Sequence, residues 1–310
     1  MQPTCVLLMP YFGAWPEGLE FYLDGCRRNP QFSFVFITDG EPVPAPPNVR
    51  FVKSTLRAVR ERASEVLGMA VALENAYKLC DLRPAYGLVF AEYVRGYEFW
   101  GFGDIDCIYG NLGRYATPEV LSRVDVFCCR KEYVSGVFSL VRNSELMNRL
   151  FMRSRDWERV LSSSQYNGFE ECGKAWRALI EGKDIKSCVT EVESFTSVVF
   201  DAIESGEVRG FFETVAVEDI HAETHLSSGG VIQNYTGWML VHFVVAKSRW
   251  FFNFPTWRAV PERYVITRRG FWREGENSAV RRMAAWPWRK AVKSLLVKVR
   301  RKVRRKLGYK

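Results

Sequence analysis

Apolar and polar positions fall along this chain in blocks, and the blocks alternate between two kinds. Cys5–Met9 is a short apolar run closed by Pro10, the pattern of a buried strand. After the loop Tyr11–Trp15, Pro16 opens a helix that Asn29-Pro30 ends. Phe32–Thr38 is aromatic and β-branched and closes at Asp39-Gly40, which predicts a second strand. A Pro-rich loop, Glu41–Asn48, leads to a short third strand at Val49–Val52, and Leu56–Tyr77 has helical spacing. Leu82, Ala85, Tyr86, Val89, Phe90, Tyr93 and Val94 then repeat at three and four residues, the stripe of a core-facing helix. Phe99–Phe102 predicts a strand that runs directly into Gly103-Asp104-Ile105-Asp106. Further on, Val126–Cys129 and Val137–Val141 read as strands, and Leu146–Leu161 and Gly173–Glu181 as helices. Gly-rich Ser227–Gly237 reads as a loop before a strand at Trp238–Ala246.

This alternation predicts an α/β fold, a doubly wound and mostly parallel sheet flanked by helices. Ligands of such sheets bind beyond the carboxyl ends of the strands. Asp39 and the pair Asp104 and Asp106 fall at such ends, so chemistry is expected there.

Composition adds one division. Hydrophobic residues make up 47% and charged residues 25%, enough apolar material for a sizeable core and too much for a disordered chain. The net charge of +9 is not spread evenly. Residues 281–310 hold thirteen Lys or Arg and no acid, whereas residues 1–280 hold 31 basic against 35 acidic side chains. The chain therefore divides into a mildly acidic body, 1–280, and a basic tail, 281–310. In the tail Val292, Leu295, Leu296, Val299, Val303 and Leu307 lie on one helical face, with Trp286 and Trp288 just upstream. A basic amphipathic helix with aromatic anchors suits an anionic membrane surface. Nucleic acid is the less fitting partner, because phosphate contacts alone would not require the apolar stripe; a solvated tail is the bland alternative.

The eight cysteines show no C-x-x-C spacing, which argues against a zinc site, and several sit in apolar runs as buried hydrophobes do. They fit a reducing cytoplasm better than a disulfide framework. No apolar stretch reaches the length of a membrane-spanning helix. The expected location is cytoplasmic, peripheral on the inner face of the membrane.

Asp-x-Asp is common by chance, so its context has to decide. Here a strand delivers both carboxylates to one loop, and Gly101 and Gly103 leave room for a ligand near the backbone. Two such carboxylates can share one oxygen-preferring cation. They can equally be turn aspartates that cap a loop.

The string Trp100–Asp106, followed by Ile108-Tyr109-Gly110, resembles the metal-binding core of GT-A glycosyltransferases. More narrowly it is similar to a bacterial family associated with polysaccharide (capsule or lipopolysaccharide) biosynthesis. Two more strings carry that likeness: Pro10-Tyr11-Phe12-Gly13-Ala14-Trp15-Pro16, and Lys78 to Gly87. The resemblance implies a GT-A-like fold and a metal-dependent transfer of a sugar from a UDP- or GDP-linked donor to a glycan or lipid-linked glycan. It also implies Mn²⁺ or Mg²⁺ at Asp104 and Asp106. Pro10, Tyr11, Phe12 and Gly13 would flank the nucleotide, although the same residues also suit a rigid turn. Asp81 would lie near base or ribose and also N-cap a helix beginning at Leu82. Lys78 would contact phosphate, or be an ordinary solvated lysine.

His242 stands in the apolar run Met239–Val245, where a lone histidine is usually a core residue. Several GT-A families, however, end the catalytic domain with a histidine, a lysine five or six positions on, and an aromatic residue. By that likeness His242 completes the metal site and Lys247 meets the diphosphate, with Trp250 as the aromatic. The Gly and Pro usual in that motif are missing. Ser135–Phe138 with Arg142-Asn143 resembles the segment that shapes the acceptor pocket, or is a glycine turn that opens a strand. For the catalytic carboxylate the resemblance points to Glu191 and Glu193, Glu191 first. Two other classes remain open from the sequence: a metal-dependent phosphoesterase or phosphotransferase with Asp104 as ligand or nucleophile, and a non-catalytic membrane or nucleic-acid binding protein on a degenerate fold.

Overall fold

The computed structural model describes residues 4–275. The basic amphipathic helix expected within 281–310 lies outside the described residues. In chain order the strands are β1 (Cys5–Tyr11), β2 (Phe32–Thr38), β3 (Val49–Lys53), β4 (Phe99–Gly103), β5 (Cys107–Tyr109), β6 (Val126–Cys128), β7 (Phe138–Arg142) and β8 (Gly210–Phe212). They continue with β9 (Ala216–Val217), β10 (Thr224–Ser227), β11 (Gly230–Gln233), β12 (Thr236–Trp238), β13 (Leu240–His242), β14 (Tyr264–Thr267) and β15 (Gly270–Arg273).

The main sheet has the order β3-β2-β1-β4-β7-β6-β8. β3, β2, β1 and β4 are parallel, β7 is antiparallel to both β4 and β6, and β8 is parallel to β6. β1 explains why its sequence is an unbroken apolar run. Val6 and Leu8 enter one core with Val35, Ile37, Trp100 and Phe102. Cys5, Leu7 and Met9 enter the other with Phe34, Phe36 and Phe99. Alternate side chains leave a strand on opposite faces, so a strand covered on both faces must be apolar throughout. The α/β expectation holds at this level.

Several expected helices are shorter than their spacing implies, each with a local cause. Leu56–Tyr77 stops at Leu67, because Gly68 takes the left-handed conformation, φ 67°, that closes a helix. Thr55 caps its start by accepting from Ala58 N. The stripe Leu82–Val94 is not one helix. Pro84 lies in its first turn, and the chain runs as Leu79–Leu82, a 3₁₀ turn Arg83–Ala85, Tyr86–Val89 and Ala91–Val94. Its apolar residues are still buried, Tyr93 only partly, so the pattern reported burial more faithfully than backbone geometry. Leu146–Leu161 likewise divides into Glu145–Arg149, Leu150–Arg153 and Trp157–Ser162, and Gly173–Glu181 shrinks to Trp176–Ile180.

The largest difference is near the C-terminal end. Ser227–Gly237, expected as a loop, is a pair of hairpins within a five-stranded antiparallel sheet, β12-β11-β10-β14-β15. Asn234 and Tyr235, at φ 50° and 62°, supply the two-residue turn between β11 and β12. The expected strand Trp238–Ala246 is only β13, and Val244–Lys247 is a single helical turn. β13 joins β5 and β9 in a small third sheet.

Gly101 and Gly103 also correct an expectation. A Cβ on Gly101 would overlap the Ser139 carbonyl oxygen of β7 and stand 2.8 Å from Leu140 Cδ2. One on Gly103 would stand 3.0 Å from Val137 O and 2.9 Å from the Tyr109 hydroxyl. Neighbouring protein fills the Cβ positions of both glycines, although Gly103 also borders an open cleft. Gly101→Ala is expected to destabilise the protein by about 1–3 kcal/mol through overpacking between β4 and β7. Urea unfolding checks this, and an unchanged midpoint would show that the two strands can separate freely there.

Candidate functional site

β1 and β4 are adjacent and parallel, but the chain reaches β2 and β3 on one side of β1 before it returns to β4 on the other. Such a reversal opens a crevice beyond the carboxyl ends of the two strands. A cleft of about 390 Å³ lies there, lined by Pro10, Tyr11 and Phe12 at the end of β1 and by Asp104 and Asp106 after β4. Its size suits a small-molecule site.

β5 follows the Asp104–Asp106 turn directly, and β13 pairs antiparallel to it with His242 opposite Cys107. Phe243 N donates to Asp106 O at 3.1 Å, which ties the end of β13 to the turn. His242 is thereby held against both aspartates: its Nε2 is 3.4 Å from Asp106 Oδ1 and 3.7 Å from Asp104 Oδ2. On the far side its Nδ1 is 3.5 Å from Glu218 Oε1, long for a hydrogen bond. Glu218 follows β9, which runs parallel to β13, and Arg130 holds its other oxygen at 2.6 Å. One helical turn beyond β13, Lys247 Nζ reaches Asp106 Oδ2 at 2.7 Å.

Burial alone would lower the His242 pKa, but Asp106 and Glu218 outweigh it and push it up to about 10. Burial works the other way on Asp106, and there His242 and Lys247 prevail and hold the carboxyl well below its ordinary range. The same opposition lowers Glu218, with His242 and Arg130 outweighing burial. Each cation in this cluster is matched to a carboxylate. Asp106, Cys107 and His242 also bring one donor atom each within 4.8 Å of one another. Burial first, then Asp106 and Asp104, pushes the Cys107 thiol well above its usual pKa. Asp106, Cys107 and His242 form a group that could hold a metal ion, and Asp104 Oδ2 stands 3.7 Å from the same His242 Nε2.

Arg83 was not singled out in the sequence. It sits at an unspecified position inside the string Lys78–Gly87, and no periodicity marks it. Its guanidinium lines the cleft, donating to Asp104 Oδ1 at 2.5 Å and to Gly136 O at 2.9 Å. Gly136 N in turn donates to Glu171 Oε1 at 2.7 Å, and Trp176 Nε1 donates to the other oxygen of that carboxylate. Gly136, in a segment expected near an acceptor, thus joins Glu171 through Arg83 to Asp104. Glu218 was also missed; it precedes β13 by more than twenty residues, and only strand pairing places it.

Other expected residues lie elsewhere. Gly13 has φ 105° and donates its N–H to Asp39 Oδ1 at 2.8 Å; it shapes the loop after β1 and does not line the cleft. Tyr11 stacks on Trp15 at 5.4 Å, and its hydroxyl closes the loop on Ala14 O at 3.0 Å. Tyr11 is thus part of a closed turn and also lines the cleft.

Lys78 and Asp81 do not reach the cleft. Lys78 is 2% exposed, and its ammonium donates to Asp81 Oδ2, Val160 O and Gln165 O at 2.7–2.8 Å. Asp81 is inside a helical turn rather than at its start, and it accepts from Asn167 N and Phe169 N at 2.8 Å. A lysine with three acceptors has no donor left for phosphate. Glu191 and Glu193 are also displaced from the cleft. Glu191 is exposed and contributes only its carbonyl, to Arg159 at 2.8 Å. Glu193 Oε2 accepts from Arg155 N at 2.6 Å. Neither lines the cleft.

Residues 7–271 match a family model described as "Family of unknown function (DUF6625)". Among curated proteins, none matches this chain.

Proposed function

We propose that this chain, which belongs to the DUF6625 family of unknown function, is a metal-dependent glycosyltransferase of the GT-A kind. The observation that carries this reading is the convergence of Asp104, Asp106 and Lys247 on one crevice between β1 and β4, with His242 packed against both aspartates. These residues come from two distant stretches of sequence, and a loop that merely capped itself with aspartates would not require the second stretch. The donor is a nucleotide diphosphate sugar, UDP- or GDP-linked, and the acceptor a glycan or lipid-linked glycan.

Asp106 and His242, with Asp104 beside them, would hold Mn²⁺ or Mg²⁺, and the imidazole tilts the choice toward Mn²⁺. A bound divalent cation supplies positive charge where a diphosphate leaving group becomes more negative. Glu218 stands 3.5 Å behind His242, where it would orient the ring as a carboxylate behind a metal-binding histidine does. Lys247 places an ammonium on the cleft wall, where it serves phosphate oxygens as it now serves Asp106. Tyr11 and Phe12 give the wall an apolar stretch suited to a flat base or ribose. Arg83, tied back through Gly136 to Glu171, keeps Asp104 turned into the cleft.

A thermal-shift screen of nucleoside diphosphates, with and without Mn²⁺, tests the reading. Stabilisation that needs both partners supports it, and equal stabilisation in excess chelator would sink it. Metal-dependent phosphate release from simple esters, with no nucleotide effect, would point to a phosphoesterase instead.

No helix among the described residues is long and apolar enough to cross a membrane. The tail, 281–310, is the part of the reading that brings the enzyme to an anionic surface. Each basic side chain near such a surface contributes about 1 kcal/mol, screened by salt. Removal of residues 281–310 should therefore lower binding to anionic liposomes by roughly tenfold or more and remove most of its salt dependence. Cosedimentation at two salt concentrations measures both, and undiminished binding would rule the tail out as an anchor.

A further inference from the structure

The body of the protein carries a second cationic and apolar surface, separate from the tail. Residues 247–275 hold seven Lys or Arg against two acids, although residues 1–280 as a whole are net acidic. Arg258 and Arg269 are exposed, and they and Arg249 form no ion pair among the described residues. Beside these cations stand large apolar side chains that the core does not take. Val245 is 51% and Trp250 65% exposed, while their neighbours Phe243, Ala246 and Phe252 are buried.

Geometry joins the two groups. Phe252 N donates to Arg249 O at 3.0 Å, which closes a turn that presents Trp250. Asn253 N donates to Arg269 O at 3.0 Å, so that turn lies against the β14–β15 turn carrying Arg268 and Arg269. The Arg249 guanidinium rests over the Phe251 ring at 5.9 Å. The same short segment carries Lys247, which lines the cleft, and Tyr77, another cleft residue, is 64% exposed. Exposed tryptophan with aliphatic neighbours and unpaired arginines matches the boundary between lipid headgroups and acyl chains. A nucleic acid could stack a base on Trp250 but would leave the exposed aliphatic Val245 without a role.

We propose that the face formed by Val245, Arg249, Trp250 and Arg269 docks on an anionic phospholipid bilayer, with the cleft beside the contact. This extends the membrane part of the reading above to the folded body, and it stands or falls independently of metal and nucleotide binding. It gives the tail a second point of attachment, so that the enzyme is oriented on the surface as well as held to it. A lipid-linked acceptor would then meet the cleft at the height of its own headgroup.

The test uses the full-length chain with its tail intact. Val245→Ser/Trp250→Ser and, separately, Arg269→Glu are compared with the unaltered protein on phosphatidylcholine vesicles with and without phosphatidylglycerol. Each variant's unliganded melting temperature confirms that it is folded, and Arg269→Glu, on an exposed turn, keeps the test open if the apolar pair disturbs folding. Binding to the anionic vesicles should weaken by roughly fivefold or more in both. Brominated acyl chains should quench the protein's fluorescence, and Trp250→Phe should remove part of that quenching. Binding within about twofold of the unaltered protein for both variants, or quenching unchanged in Trp250→Phe, overturns the docking face. Loss of binding without a quenching contribution from Trp250 also overturns it, since a partner other than lipid is then being displaced.

Discussion

Asp106→Ala is expected to abolish the metal-dependent stabilisation by nucleoside diphosphate while leaving a folded protein. Asp106 is the carboxylate on which the site converges: His242 stands 3.4 Å from one oxygen and Lys247 2.7 Å from the other. A ligand at about one hundred times its dissociation constant stabilises a protein by about 2.7 kcal/mol, a melting shift of roughly 5 °C in a chain of this size. That whole shift should vanish in the variant. Glu218→Gln should instead weaken metal affinity by roughly ten- to a hundredfold, because Glu218 acts through the ring it orients. Affinity should also rise with pH across the neutral range. His242, pushed up to about 10, carries a proton that a cation must displace before the imidazole can bind it. The pKa is raised, so the proton is held below that value and competes less as pH climbs toward it. Isothermal titration with Mn²⁺ at three pH values reads both effects. A nucleotide shift that survives in Asp106→Ala, or metal affinity that falls with rising pH, would remove His242 and Asp106 from the metal site.

How much of this was legible in the sequence depended on the range of the interactions involved. β1, β2 and β4 could be read because burial on both faces writes itself as a nearly continuous apolar run, and the edge strand β3 because its Val49, Phe51 and Val52 stand out after a Pro-rich loop. The two aspartates could be placed because they directly follow such a run. His242 was open between core and cleft from its own neighbourhood, and the strand pairing His242↔Cys107 is what turns it toward the aspartates. Arg83 and Glu218 left no local trace, since their partners are 21 and 24 or more residues away. The helices from Leu56 to Val94 were over-extended for a different reason. Helical spacing of apolar residues reports which side chains are buried, whereas Gly68 and Pro84 decide where the backbone can continue. The C-terminal antiparallel sheet was missed because its strands are three or four residues long and rich in glycine and polar residues.

Asp81→Ala is expected to cost more stability than any other single change considered, about 3–5 kcal/mol, without a direct effect on the cleft. Asp81 is fully buried, and its carboxylate accepts from Lys78 Nζ, Asn167 N and Phe169 N. Its removal leaves an ammonium with no counter-charge in a dry interior and two backbone N–H groups with no acceptor. Lys78→Met should cost less, about 2–3 kcal/mol, because the two backbone N–H groups still satisfy Asp81 and the methionine fills much of the vacated space. The pair ties the turn Ala76–Leu82 to the segment Gln165–Phe169, and Tyr77 and Tyr166 from these two stretches meet edge to face at 4.7 Å. The damage is therefore one of anchoring: a loosened Tyr77 wall, with the proposed metal ligands untouched. Both variants should show the full metal-dependent nucleotide shift when measured well below their own melting temperatures. Denaturant unfolding gives the stability loss and calorimetry the binding. If Lys78→Met melts like the unaltered protein yet loses nucleotide affinity, Lys78 contacts phosphate after all, and the buried ion pair opens when the ligand arrives.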